Sequence, residues 1–150
     1  MRLSDLLSEE TIVVSLSHKD KQGVIEELLN LAMKTGKVQD RAVALKAVLD
    51  REQLMSTGLE RGVAVPHAKT KAAMDLAMAL GISKEGLDFQ SADGKPSHLF
   101  FFLLVPETAA GPNVKVLAQI ARLTSDPSFC KSLREAASPK EALEIIKDAE

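Results

Sequence analysis

Apolar residues recur along this chain with two spacings, and the spacing changes mark its elements. In "KQGVIEELLNLAMKTGK" (21–37), Val24, Ile25, Leu28, Leu29 and Ala32 fall on one side of a helix. Ser17 and Asp20 offer capping side chains before it, and Gly36 is placed as a C-terminal stop. "DRAVALKAVLDREQL" (40–54) repeats the pattern through Val43, Ala44, Ala47, Val48 and Leu54, with Asp40 as N-cap. Four other runs predict strands: the β-branched "TIVVSL" (11–16), a short "VAV" (63–65) closed by Pro66, "LAMALGIS" (76–83) and "HLFFFLLV" (98–105). The last lacks alternation, as expected of a strand covered on both faces, and Pro106 ends it. A polar turn at Asp93–Gly94 separates the last two, and "ETAAGP" is a loop. Three helical stretches follow: "NVKVLAQIARLTS" (113–125), "DPSFCKSLREA", and "SPKEALEIIKDAE" with Ser138, Pro139 and Glu141 as a capping box. Strand, two helices, several strands, then three helices predict an α/β layered domain. Its sheet is mixed, because not every pair of strands has a helix between them.

Composition sharpens this picture. A length of 150 residues with 45% apolar content fits one domain, 1–150, with a sizeable core. That core must be aliphatic, since the chain has five Phe and neither Trp nor Tyr. A net charge of −2 argues against a general nucleic-acid binder, though not against a small basic pocket. The opening "MRLSDLLSEET" has no apolar signal-peptide core. The longest apolar run, "LFFFLLV", is far short of the roughly 20 residues needed to span a bilayer, so no direct membrane insertion is expected. Cys130 is the one cysteine and reads as a small buried hydrophobe. With no export signal, the expected compartment is the cytoplasm.

The chemistry-bearing stretch is "STGLERGVAVPHAKT" (56–70). Of the three histidines, His18 reads as a solvated loop residue and His98 as a structural one opening an apolar strand. They lie far apart, and no H-x-x-x-H pair exists, so neither zinc nor any other cofactor is expected. His67 differs by its neighbours. Pro66 stiffens the chain entering it, and a histidine just past a strand's end sits at the rim of a sheet. Gly58 and Gly62 allow close backbone approach; Arg51, Arg61 and Lys69 supply positive charge, and Ser56 and Thr57 hydroxyl donors. An imidazole in such surroundings can attack phosphorus, if its second nitrogen is held by a hydrogen bond. On these residues alone both readings stand: a phosphoryl-accepting histidine and a structural one.

The stretch "REQLMSTGLERGVAVPHAK" resembles the active-site signature of enzyme IIA domains of the fructose/mannitol type, from the bacterial phosphotransferase system. Its Ser-Thr-Gly most resembles the free-standing nitrogen-regulatory members. The opening "RLSDLLSEETIVVSLSHKDKQGVIEEL" and the later "DFQSADGKPSHLFFFLLVPE" and "VKVLAQIARLTSDPSFCKSLREAASPKEAL" extend the resemblance over essentially the whole chain. It implies a mixed sheet sandwiched between helices. It also implies that His67 accepts a phosphoryl group from the phosphohistidine of the carrier HPr. Arg51 would then neutralise the phosphate, and Ser56 and Thr57 would orient the imidazole or bind phosphate oxygens. Where many members carry a second histidine, this chain has Asn113, which donates a hydrogen bond but carries no charge. Glu60-Arg61 replaces a usual Gly-Asn turn, and Ala68 a common glycine.

Three functions are therefore expected, in this order. The first is a nitrogen-regulatory phosphocarrier that signals through contacts with a target protein. The second is a sugar-specific IIA passing phosphate to a separate IIB chain, since 150 residues leave no room for a IIB domain here. The third is a binding module of the same fold that is not phosphorylated. A hydrolase built on Ser56 or Cys130 lacks a nucleophile elbow.

Overall fold

The computed structural model describes residues 2–109 and 112–150, without the side chains of residues 112 and 113. Helices α1 (Leu3–Leu6), α2 (Lys21–Met33), α3 (Arg41–Leu54), α4 (Pro112–Thr124), α5 (Pro127–Arg134) and α6 (Pro139–Ala149) enclose five strands. These are β1 (Ile12–Val13), β2 (Val63–Ala64), β3 (His67–Thr70), β4 (Ala77–Leu87) and β5 (Ser97–Pro106). The helix starts follow their caps. The Asp20 carboxylate accepts from the Gly23 N–H at 3.1 Å, and that of Asp40 from Val43 at 3.2 Å. Ser138 Oγ accepts from Glu141 N–H at 3.1 Å, while the Glu141 carboxylate reaches Ala137 N–H instead of closing the box on Ser138.

The sheet runs β1-β4-β5-β2, with β3 also on β5. Strands β4 and β5 are antiparallel; β1 on β4, and β2 and β3 on β5, are parallel. Successive side chains of β5 go to opposite faces. Leu99, Phe101, Leu103 and Val105 pack with α4, α5 and α6, and Phe100, Phe102 and Leu104 with α2 and α3. The period of two is present but masked, because both faces are apolar. Each fully buried phenylalanine contributes about 1.5–3 kcal/mol, so the run Phe100–Phe102 anchors both halves of the core.

Two strand expectations change. The run 11–16 becomes a 3₁₀ turn (Glu9–Thr11) followed by the two residues of β1. Thr11 is drawn out of the strand by Ser8: its Oγ1 accepts from the Ser8 N–H at 3.0 Å and donates to the Ser8 carbonyl at 3.1 Å. The strand expected to close at Pro66 resumes one residue later as β3. Both halves lie on β5 in one register, Val63 opposite Leu99 and His67 opposite Leu103. Proline removes only a donor; the Pro66 carbonyl still accepts from Leu103 N–H at 3.1 Å. His67 therefore opens a strand instead of following one.

Candidate functional site

His67 stands on an edge strand. Its neighbours Ala68 and Thr70 are buried, Ala68 packing with the α2–α3 face. Alternation turns His67 and Lys69 toward the α4 side, and Lys69 Nζ donates to the Ala109 carbonyl at 3.2 Å. A groove of about 440 Å³ runs between this edge and α3, lined by Asp50, Arg51, Leu54, His67 and Lys69 among others. Its acid, Asp50, is paired with Lys46 at 2.6 Å. At the groove's α3 end Leu54 and the adjoining Met55 are 83% and 71% exposed and form an apolar rim.

The half-buried imidazole is held by one bond: Nδ1 lies 2.7 Å from the Val65 carbonyl. A carbonyl only accepts, so Nδ1 carries the proton and, in the neutral ring, Nε2 keeps a free lone pair. The bond is local, but the carbonyl is positioned from further away. Val65 N–H donates to the Thr57 carbonyl at 3.0 Å. Thr57 is itself tied to Glu52, whose carboxylate accepts from its N–H at 3.1 and 3.2 Å and from its hydroxyl. Glu52 is 7% exposed and receives Lys21 Nζ at 2.7 Å. Lys21 also donates to Gln90 Oε1 at 3.0 Å and lies 4.8 Å above the Phe89 ring. A line of contacts thus runs from Lys21 through Glu52, Thr57 and Val65 to His67.

Sequence reasoning missed Glu52 and Lys21. The available signal was the Arg-Glu pair at 51–52, four residues before a turn whose amides need an acceptor. The expected ligands take different places. Arg51, half-buried on α3, lines the groove with His67, and its Nη1 donates to the Met55 carbonyl at 2.8 Å. The Ser56 hydroxyl donates to the Phe89 carbonyl at 2.7 Å and accepts from Gly58 N–H at 3.1 Å. Ser56 and Thr57 are thus held in the loop's own bonds. Asn113 belongs to the first turn of α4, but its side chain lies outside the described residues.

Arg61 is not brought to this groove. It lies at the far end of α4, with its guanidinium 3.4 Å from the Ser125 carbonyl, and Glu60 is exposed in the same turn. His18 is exposed, as expected, and bonds Glu27 at 2.8 Å. His98 has the structural role expected, Nδ1 donating to the Ser83 carbonyl at 2.9 Å. Cys130 is half-buried, its thiol donates to the Thr124 carbonyl at 3.3 Å, and burial pushes its pKa up. That environment suppresses a thiolate nucleophile. Among the described residues no helix is long and apolar enough to cross a membrane.

The chain from residue 5 to 149 matches the family model "Phosphoenolpyruvate-dependent sugar phosphotransferase system, EIIA 2". It is 37% identical over 146 residues to the fructose-specific EIIABC component of Bacillus subtilis, covering 97% of this chain but only 23% of that protein. It is 33% identical to a nitrogen regulatory protein of Bradyrhizobium diazoefficiens, covering 97% of this chain and 95% of the relative. Among solved structures it resembles the nitrogen regulatory protein IIA-Ntr of Neisseria meningitidis. There the TM-score is 0.88 at 32% identity, over 96% of this chain and 98% of the other. The α/β/α architecture and the match across nearly all of the sequence agree: this chain belongs to the EIIA 2 family of the phosphoenolpyruvate-dependent sugar phosphotransferase system.

Proposed function

We propose that the chain is a phosphocarrier of nitrogen-regulatory type, which accepts a phosphoryl group from phospho-HPr on Nε2 of His67. The observation that carries this reading is the Nδ1–Val65 bond, which leaves Nε2 as the free nucleophile of the neutral ring. In the transfer, the Nε2 lone pair forms a bond to phosphorus as the donor's phosphorus–nitrogen bond breaks. The bonding pair returns to the donor imidazole. His67 then carries the phosphoryl group on a cationic ring, and its Nδ1–H bond to Val65 becomes charge-assisted, roughly doubling in strength. No proton has to leave during the step.

Phosphoryl transfer asks mainly for positioning and charge stabilisation. Positioning comes through Thr57 and Glu52. Charge comes from Arg51, beside His67 in the groove, and from Lys69 on the same face of β3. The exposed Leu54 and Met55 offer a protein partner an apolar contact. The mark adds about two negative charges at neutral pH, enough to make or break a protein interface. Asn113, in place of a second histidine, favours a regulatory end-point over onward transfer.

The 37% identity to a fructose-specific component motivates a second reading, a sugar-type IIA that hands the group to a separate IIB. The test is phosphorylation with phosphoenolpyruvate, enzyme I and HPr, read by intact mass. A gain of one phosphoryl group that disappears in His67→Ala supports the proposal. No gain with the cognate HPr overturns it and leaves an unphosphorylated binding module. Rapid discharge on adding a fructose-specific IIB decides for the second reading.

A further inference from the structure

At the opposite end of β5 from His67's partner Leu103, a second cleft of about 390 Å³ opens on the surface between the 60–62 turn and α5. We propose that it binds a small phosphate monoester with a compact ring-bearing body. Leu99, in this cleft, stands four positions before Leu103 on the strand, about 13 Å at strand rise. The two sites are therefore distinct.

Three cations reach the cleft from two elements: Arg61 from the turn, Lys131 and Arg134 from one face of α5. None of them forms an ion pair among the described residues. The nearby acids are already engaged. Asp93 accepts from the Arg61 and Lys95 amides, and Asp126 caps α5 through Ser128 N–H at 2.9 Å. Neither acid comes within 4.0 Å of the three cationic groups, which stay open to an outside anion. Two guanidiniums and an ammonium match a phosphate dianion, which guanidinium forks bind bidentately. Buried Leu99 and the ring of Pro127 form an apolar floor for the rest of the molecule.

The backbone presents Arg61 at a conformational penalty. Its φ is 61°, left-handed, with Gly62 at 77° beside it. An L residue there costs about 1–2 kcal/mol, and such strain concentrates at functional sites. Gly62 must stay small for another reason: a Cβ would lie 3.0 Å from the His98 ring that walls the cleft.

The experiment is an amide NMR titration at physiological salt, with inorganic phosphate and AMP as probes. The proposal expects saturable shifts at Gly62, Leu99, Lys131 and Arg134, with AMP binding more tightly than phosphate. Lys131→Gln/Arg134→Gln should weaken binding at least about tenfold, the loss of two charge-assisted contacts. Lys34→Gln/Lys140→Gln removes the same charge elsewhere on the surface and should change binding less than about twofold. Non-saturating shifts, shifts centred elsewhere, or equal weakening in both double variants would overturn the site. AMP binding no tighter than phosphate would overturn the ring-bearing class.

Discussion

Glu52→Gln isolates the contact line that ends at His67. The Glu52 side chain is 5% exposed and binds the Lys21 ammonium, the Thr57 amide and the Thr57 hydroxyl. Glutamine keeps the shape and one accepting oxygen, but it removes the charge and turns an NH₂ toward a donor. Breaking a buried pair costs about 3–5 kcal/mol when one partner stays behind. Lys21 is 23% exposed and keeps Gln90 and the Phe89 ring, so the lower end, about 3 kcal/mol, applies. For 150 residues the melting entropy is about 0.3 kcal/mol/K, so the midpoint should fall by about 10 °C. Circular dichroism melts of Glu52→Gln, Lys21→Met and the double variant measure both the loss and the coupling. A fall of less than about 2 °C, or a double variant losing the full sum of the singles, would refute the reasoning.

Arg51→Gln should slow His67 phosphorylation while shifting the melt by only about 2–3 °C, since one bond to Met55 is lost; a large melt shift with normal phosphorylation would make Arg51 structural. Ser56→Ala should lose about 1 kcal/mol of stability in denaturant titration, through the Phe89 and Gly58 bonds, and still be phosphorylated. Arg61→Asn should raise the midpoint by about 3 °C by relieving the left-handed backbone, as asparagine tolerates αL. The His18–Glu27 bond sets a pH window. Glu27 lifts the exposed His18 above its ordinary 6.5, a contribution complete below 6.5 and lost as pH rises through the raised value. Burial pushes the Glu27 carboxyl up, but the bonds from His18 and Ser17 outweigh it and hold it below 4.5, a contribution present above 4.5 and lost on acidification. The melting gap between wild type and His18→Gln should therefore be widest between pH 4.5 and 6.5 and narrow as pH rises above that window; a constant gap would refute it.

Helix boundaries were legible because caps are local: Asp20 and Asp40 act within three residues of where they stand. The central strand was legible from Phe100–Phe102, since no half-exposed strand tolerates such a run. Strand β3 was not, because a proline reads as a terminator, and whether its carbonyl still finds a donor depends on Leu103, 37 positions away. His67 was legible as a chemical group and Arg51 as its neighbour in the groove. The bond that fixes the ring's tautomer was not, since any chain oxygen could have held the ring. Ser56 and Thr57 were legible only as hydroxyl donors: short hydroxyl side chains beside glycine suit a turn as well as a phosphate, and the Thr57 carbonyl's hold on Val65 N–H depends on the tertiary fold. Glu52 was hidden because an acid at a helix end is ordinarily solvated, and only the tertiary approach of Lys21 makes it an interior anchor.

The shared alignment of β2 and β3 on β5 has a consequence for which positions can vary. The histidine's backbone takes its height from the innermost strand of the molecule, while its ring is held through Val65 and Thr57. The 60–62 bend lies between the two sides of that support, Thr57 and Val65, and Gly62 itself accepts from His98 and Leu99 on β5. Side chains at positions 60 and 61 can therefore change without moving the strand downstream, whereas position 62 has to remain glycine.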